Sequence, residues 1–171
     1  MTQTPPRQAR GPGTARASRR AEAEAEAAND IGPVFIESYL AYLLARASHL
    51  VSGEFHKRLE AQRVPVMTWR VLAALWDGPK SAREVADIIL QKQPTVSKLL
   101  ERLERQGLLS RETDAGDRRR IAVSLTDSGR ALAGPLIESA RSHEHAVLEP
   151  FGERNASTLV AVLQRLIDQH R

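Results

Sequence analysis

Three consecutive arginines, Arg118, Arg119 and Arg120, follow Asp117 in the second half of the chain. Such a run of like charges cannot be buried without partners, so we expect it at the surface. Guanidinium groups pair with carboxylates in two parallel hydrogen bonds, and Asp114 or Asp117 could hold one arginine in this way. An arginine is also favoured in the negative potential of a narrow DNA minor groove. A turn that is only exposed to solvent would not need three like charges. Asp117 and the three arginines are therefore predicted to bind DNA.

A second group of polar side chains lies upstream, within a segment of helical periodicity. Four apolar residues at intervals of three and four predict the buried face of a helix over residues 92–106, namely Val96, Leu99, Leu100 and Leu103. The opposite face would carry groups that bond base edges or phosphates or meet a thymine methyl group. A merely solvated face is the alternative, and the order of the neighbouring elements favours DNA. The predicted DNA-binding residues of this helix are Gln93, Pro94, Thr95, Ser97, Lys98 and Arg102.

Two short helices are predicted before this one, and each has a local start signal. Thr68 is expected to cap the first, an apolar helix that ends near Gly78. Ser81 and Glu84 have the spacing of a capping box, in which a hydroxyl and a carboxylate each satisfy a free backbone N–H. The third helix ends at Gly107, which suits the left-handed residue that follows a helix.

Short strand-like runs, 108–113 and 121–125, flank the charged turn and predict a two-stranded hairpin. Three short helices followed by a hairpin form a winged helix-turn-helix, here from Thr68 to Thr126. The recognition helix of such a motif enters the major groove near its own N-terminus. We therefore expect a mainly α-helical fold with a small β-wing that binds double-stranded DNA.

Long helices are predicted on both sides of this motif. One covers residues 34–61 after Pro33, and two more follow Thr126, the last of them from Ser157 to His170. The apolar faces of residues 34–61 and 157–169 are too extensive for a chain of this size to bury alone, which favours a second subunit. Residues 127–170 and 34–61 are thus the expected dimerisation helices.

The N-terminal residues have a different composition from the remainder. Residues 1–20 contain prolines, glycines and five arginines without an acidic residue, and residues 21–28 read AEAEAEAA. Such a segment cannot bury apolar surface, so residues 1–30 are expected to be a disordered basic tail, solvated or in nonspecific contact with DNA. Residues 31–171 are expected to form one domain.

Composition excludes several classes of function. Aromatic residues make up 4% of the chain and the net charge is +4, which favours a helical protein and suits a nucleic-acid partner. The absence of cysteine excludes disulfides, thiol catalysis and peroxide sensing through cysteine. No apolar run reaches the roughly eighteen residues of a membrane span, and residues 1–28 lack the apolar segment of a signal peptide. The expected protein is soluble and cytoplasmic, with no membrane partner.

Catalytic and metal sites are not predicted. The sequence contains no nucleophile elbow, phosphate-binding loop or metal-ligand spacing. His143, Glu144 and His145 are suggestive of a metal site, but residues two apart point to different faces of a helix, and a solvated cluster is the favoured interpretation. We therefore expect no cofactor, no metal and no enzyme activity.

The segment from 108 to 129 resembles the wing and following helix start of the MarR family of bacterial transcription regulators. The D-x-R pattern of that family falls on Asp117 and Arg119. Its L-T-x-x-G helix start falls on Leu125, Thr126 and Gly129. The start of its recognition helix is similar to Pro94-Thr95-Val96-Ser97, and the resemblance covers about residues 34–169.

The resemblance implies an obligate homodimer in which the first helix and the last two intertwine. Two recognition helices would then meet successive major grooves of a pseudo-palindrome, with half-site centres about one helical turn apart. Many members are repressors that release DNA when they bind a small aromatic or phenolic acid. An effector-independent regulator or activator of the same fold stays open as the alternative.

Candidate effector-binding residues follow from this implication. A polar stripe on the first long helix and the start of the next helix offer groups that pair with a carboxylate or stack on a ring. Solvated or interfacial side chains, and a tryptophan in the core, are the competing interpretation. The tentative ligand-binding residues are Arg46, His49, Ser52, His56, Trp69 and Arg70.

Overall fold

The computed structural model describes residues 34–113 and 121–170. Its internal contacts divide the chain into two compact units, residues 1–48 and 49–171. The N-terminal tail predicted for residues 1–30 lies outside the described residues. So does the charged turn that contains Asp114, Asp117, Arg118, Arg119 and Arg120.

The described part of the first unit contains helix α1 (Phe35–Ser38) and the start of helix α2 (Leu40–Ala61). Tyr39 separates the two helices with an extended backbone, at φ −74° and ψ 118°. The single helix predicted from Pro33 to Ala61 is therefore wrong at its N-terminal end. The Ser38 hydroxyl donates to the Phe35 carbonyl at 3.1 Å and so occupies the acceptor that a continuous helix would offer to the next turn.

The second unit begins within α2, whose C-terminal half buries Phe55 and Leu59. Helix α3 (Val66–Ala74) follows Pro65, which is its N-cap. The prediction that Thr68 caps this helix is wrong, because Thr68 is the third helical residue and is buried. The fixed φ of Pro65 suits the start of a helix, so α3 begins three residues earlier than expected.

Helices α4 (Ala82–Ile88) and α5 (Gln93–Arg105) complete the three-helix group. The predicted capping box is confirmed: the Glu84 amide donates to Ser81 Oγ at 3.2 Å, and the Ser81 amide donates to Glu84 Oε2 at 2.7 Å. Helix α5 buries the four apolar residues that its periodicity predicted, Val96, Leu99, Leu100 and Leu103. Gly107 follows at φ +72°, as expected for the residue after a helix.

A three-stranded antiparallel sheet follows, in the order β1 (Lys80–Ser81), β3 (Ile121–Leu125), β2 (Leu109–Thr113). The predicted hairpin of β2 and β3 is confirmed, with Leu109 opposite Leu125. Strand β1 was not predicted, because two residues are too few to show an alternating pattern. It pairs with β3 and thereby ties the start of α4 to the wing.

Helix α6 (Asp127–Leu148) starts at the predicted cap, where Thr126 Oγ1 accepts from the Gly129 amide at 3.0 Å. A short 3₁₀ turn, Glu149–Phe151, leads to helix α7 (Glu153–Gln169). The start predicted for α7 at Ser157 is four residues late. Gly152, with φ +73°, ends the preceding turn, and the helix begins at the next residue, Glu153. Helix α7 buries no residue within the chain.

One apolar core joins the end of α2 to α3, α4, α5, the sheet and α6. Its largest fully buried side chains include Leu59, Leu72, Leu75, Leu100, Leu103 and Leu136. Three helices followed by a wing on a shared core form a winged helix-turn-helix, which starts at Val66 rather than Thr68. No helix in the described ranges is long and apolar enough to cross a membrane.

Candidate nucleic-acid interface

The outer face of α5 carries the polar residues that the sequence predicted. Because apolar residues at intervals of three and four turn inward, the residues between them point away from the core. Ser97 is half-buried at the edge of this face. The other predicted residues are all exposed, namely Gln93, Pro94, Thr95, Lys98 and Arg102.

A shallow groove of about 420 Å³ runs along this face. It brings together four of the six residues predicted on α5 and leaves out Gln93 and Ser97. Its opposite wall is Met67 from α3, which the sequence interpretation missed because α3 was expected to begin at Thr68. The groove is lined by Met67, Pro94, Thr95, Lys98, Leu99 and Arg102.

The charge of this groove is positive and uncompensated. Within the described ranges neither Lys98 nor Arg102 forms an ion pair. Helix α5 begins at Gln93 after Lys92, which provides no side-chain cap, and Pro94 lies in the first turn. The positive end of the helix dipole and the two cations beside it suit an anionic partner such as a DNA phosphate.

The turn between α4 and α5 ends α4 with a left-handed residue. Leu90 has a left-handed backbone, φ +56°, and the Gln91 amide donates to the Ala86 carbonyl at 2.9 Å. This is the bonding pattern that usually ends a helix on glycine. Leu90 is also 83% exposed, so its side chain contributes little to the core of the isolated chain.

Thr126 joins the end of the recognition helix to the start of α6. Its Oγ1 donates to the Gly107 carbonyl at 2.6 Å, and its amide donates to the Leu108 carbonyl at 3.1 Å. Gly129 is required in the same place, because a Cβ there would overlap the Leu108 carbonyl oxygen. These contacts join the start of α6 to the base of the wing and the C-terminus of α5.

The wing is also tied to α5 by an ion pair. Arg111 Nε on β2 lies 3.1 Å from Glu104 Oε2, although without hydrogen-bond geometry. Both side chains are partly exposed, so the pair contributes little to stability. The predicted wing-tip residues, Asp117 to Arg120, lie outside the described residues.

The six tentative effector-binding residues do not share one groove in the described structure. Trp69 and Arg70 line a groove between α3 and α4 that also contains Leu90. Trp69 packs on Phe55, with ring centroids 5.2 Å apart, so it also belongs to the core edge. His56 lines a different groove, at the end of α2.

The remaining three candidates lie on α2. In the first unit, Arg46 Nη1 donates to the Tyr42 hydroxyl at 2.6 Å, and this bond raises the pKa of Arg46 above its usual range. In the second unit, His49 is exposed and Ser52 is half-buried. Arg46 thus already has a partner on its own helix.

The interpretation of residues 143–145 as a solvated cluster is wrong for His143. This side chain is 7% exposed, and its Nε2 lies 3.3 Å from Glu54 Oε2 on α2. His143 lies three residues after Ala140, which lies four residues after Leu136, so it continues the inward stripe of α6, and this explains its burial. In the described ranges no group of three or more histidines and acidic residues is placed to hold a metal ion.

Comparison with known proteins agrees with this geometry. A family model described as "MarR family" matches residues 64–120. The chain is 30% identical over 138 residues to the HTH-type transcriptional repressor NicR of Pseudomonas putida, covering 80% of this chain and 85% of that protein.

Solved structures show the same fold. The MarR family transcriptional regulator SPO1453 from Silicibacter pomeroyi has a TM-score of 0.72 and 37% identity, covering 81% of this chain and 99% of that one. A structure of Bordetella bronchiseptica BpsR, from work on the regulation of its DNA binding by 6-hydroxynicotinic acid, has a TM-score of 0.67 and 28% identity, covering 80% and 99% of the two chains. With its winged helix-turn-helix and these relatives, the chain belongs to the MarR family of DNA-binding transcription regulators.

Proposed function

We propose that this protein is a homodimeric repressor that binds a pseudo-palindromic operator and is released by a small aromatic carboxylate or phenolic effector. The observation that carries the DNA-binding part is the outer face of α5. There Thr95, Lys98 and Arg102 share one exposed, uncompensated groove on a well-packed helix. Hydroxyl, ammonium and guanidinium groups in that position are the ones that bond base edges in a major groove.

The wing supplies the second DNA contact in this proposal. Strands β2 and β3 bring the ends of the charged segment to one edge of the motif. Arg118, Arg119 and Arg120 beside Asp117 have the chemistry of a minor-groove contact. The domain limits, with a basic tail over 1–30 and one domain over 31–171, remain part of the proposal.

The homodimer is supported by apolar surface that the single chain leaves exposed. Helix α7 buries no residue, although it carries large apolar side chains along its length. In the first unit, Phe35, Leu40 and Leu43 are exposed as well. Burial of such surface against a second copy is the usual reason for its presence in a regulator. The exposed apolar residues of α7 are Leu159, Val160, Val162 and Ile167.

Selection of binding sites from a randomised duplex library tests the DNA-binding proposal. The full-length protein is expected to enrich an inverted repeat whose half-site centres lie about one helical turn apart. Enrichment of a single unrepeated site would contradict the symmetric dimer. Failure to enrich any sequence would contradict operator binding altogether.

Release by an effector is supported by the relatives and by residue chemistry. BpsR is a protein whose DNA binding is described as regulated by 6-hydroxynicotinic acid. In this chain Arg70 and Trp69 line one groove together and could pair with a carboxylate and stack on a ring. His49, Ser52, His56 and Arg46 are proposed to contribute from α2.

An effector-independent regulator is the second candidate. It is favoured by the separation of His56 from Trp69 and Arg70, which line different grooves. A thermal-shift screen of small aromatic acids distinguishes the two candidates, because a ligand that binds only the folded protein raises its melting temperature. A hit that also releases a bound duplex supports the ligand-responsive repressor. Absence of any stabilising acid supports the effector-independent regulator.

A further inference from the structure

A basic groove of about 430 Å³ lies at the junction of α2 and α3. Lys57 and Arg63 are exposed at this groove, and His56 is half-buried beside them. Within the described ranges Lys57 and Arg63 form no ion pair. The groove is lined by Gly53, His56, Lys57, Glu60, Arg63, Val64, Pro65 and Val66.

This basic groove adjoins the DNA-facing groove of α5. Val66 lines the former, and the next residue along the chain, Met67, lines the latter. The start of α3 is therefore the wall between them. Exposed cations lie on both sides of it, Lys98 and Arg102 on one side and Lys57 and Arg63, with Glu60 in their groove, on the other.

The backbone at Arg63 is the second observation. Its φ of +56° lies in the left-handed region, where a glycine avoids the steric cost of a side chain. The Val64 amide donates to the Leu59 carbonyl at 2.9 Å, the same helix-ending bond that Leu108 makes to Leu103 after Gly107. A long cationic side chain kept at a strained position is a reason to look for a function of that side chain.

Resting on the proposed DNA-binding function, we propose that Lys57 and Arg63 bind backbone phosphates beside the base pairs that α5 contacts. The occupant is the DNA backbone rather than a small anion. Glu60 in the groove wall disfavours an anion within it, whereas the exposed ends of Lys57 and Arg63 can reach a phosphate outside. Contacts of this kind strengthen binding to any sequence and fix the position of the recognition helix.

The test uses salt-titrated binding of the full-length protein to a selected duplex and to an unrelated duplex. Lys57→Ala and Arg63→Gly are each expected to reduce the slope of log affinity against log salt by about two, because each subunit of the proposed homodimer loses one phosphate contact. At 0.1 M salt the loss is about sixtyfold, the counterion contribution of two phosphate contacts per dimer, and is equal on both duplexes. Arg63→Gly is further expected to raise the melting temperature, because it removes the strained side chain. Weaker binding by a more stable variant cannot result from misfolding.

Arg58→Ala is the matched control. Arg58 is exposed, carries the same charge and lies next to Lys57, but its direction around α2 is nearly opposite to the groove. It is expected to leave the slope unchanged. Wild-type slopes for both groove variants, or equal losses from Arg58→Ala, would overturn the phosphate site while leaving the proposed function intact. Unchanged DNA affinity with lost release by an aromatic acid would assign the groove to an effector. A wild-type protein that binds no duplex would defeat both proposals.

Discussion

Thr95 and Lys98 are exposed hydrogen-bond donors on α5, a helix whose other face is packed in the core. Their alanine variants are expected to change the base preference of the protein, because each removes a group that discriminates base edges by about 1–3 kcal/mol. Site selection with each variant measures the preference. Arg105→Ala is the control, since Arg105 is exposed on α5 but does not line the groove. If both variants returned the wild-type motif, the assignment of α5 as the recognition helix would be wrong.

Two helices of the winged helix-turn-helix, α4 and α5, end at a residue with a left-handed backbone, and these two ends can be compared. Gly107→Ala is expected to lower the free energy of unfolding by about 1 kcal/mol, because a Cβ there meets no atom and only the backbone is strained. Leu90→Ala changes an exposed side chain without altering that strain, so its effect should be under about 0.5 kcal/mol. Urea unfolding at fixed protein concentration measures both. If both variants lost the same free energy of unfolding, backbone strain at Gly107 would not be what the alanine there adds.

Thr126 connects two elements, since its hydroxyl bonds both the residue after α5 and the first turn of α6. Thr126→Ala is expected to lower the free energy of unfolding by about 1 kcal/mol, because the hydroxyl both caps α6 and bonds the Gly107 carbonyl. Thr126→Ser keeps the hydroxyl and is the control. Hydrogen exchange of the Gly129 amide should increase only in the alanine variant. Retained protection would show that the cap is not what holds this junction.

Most elements follow from local signals in the sequence. The box of Ser81 and Glu84, the glycine after α5 and the apolar stripe of α5 each act within one turn of helix, so the chain near them suffices to predict them. The hairpin follows equally from two runs separated by a charged turn. The observed starts of α3 and α7 differ from the predicted ones. Pro65 and Gly152 are the residues that precede these helices, whereas the prediction relied on the first polar residues of the periodic segments.

At the scale of the whole molecule, the exposed face of α7 decides the state of assembly. Val162→Glu, at a side chain that is 54% exposed in the single chain, is expected to convert a dimer at micromolar concentration into a monomer. Equilibrium sedimentation measures the mass. Gln164→Glu adds the same charge at an exposed position on another side of α7 and should remain dimeric. A monomeric wild-type protein would contradict the dimer proposal.

The amino-acid sequence by itself determined the class of fold and the face of α5, because periodicity and capping depend on neighbours within a few residues. It also pointed to the charged wing tip, whose residues the structure does not describe. Only the tertiary structure decided that Met67 faces α5, that the basic groove of Lys57 and Arg63 adjoins the DNA-facing groove, and that His143 is buried beside Glu54. Residue spacing can indicate which face of a helix turns inward, as it does for His143 on α6, but which segment that face meets depends on packing of the core.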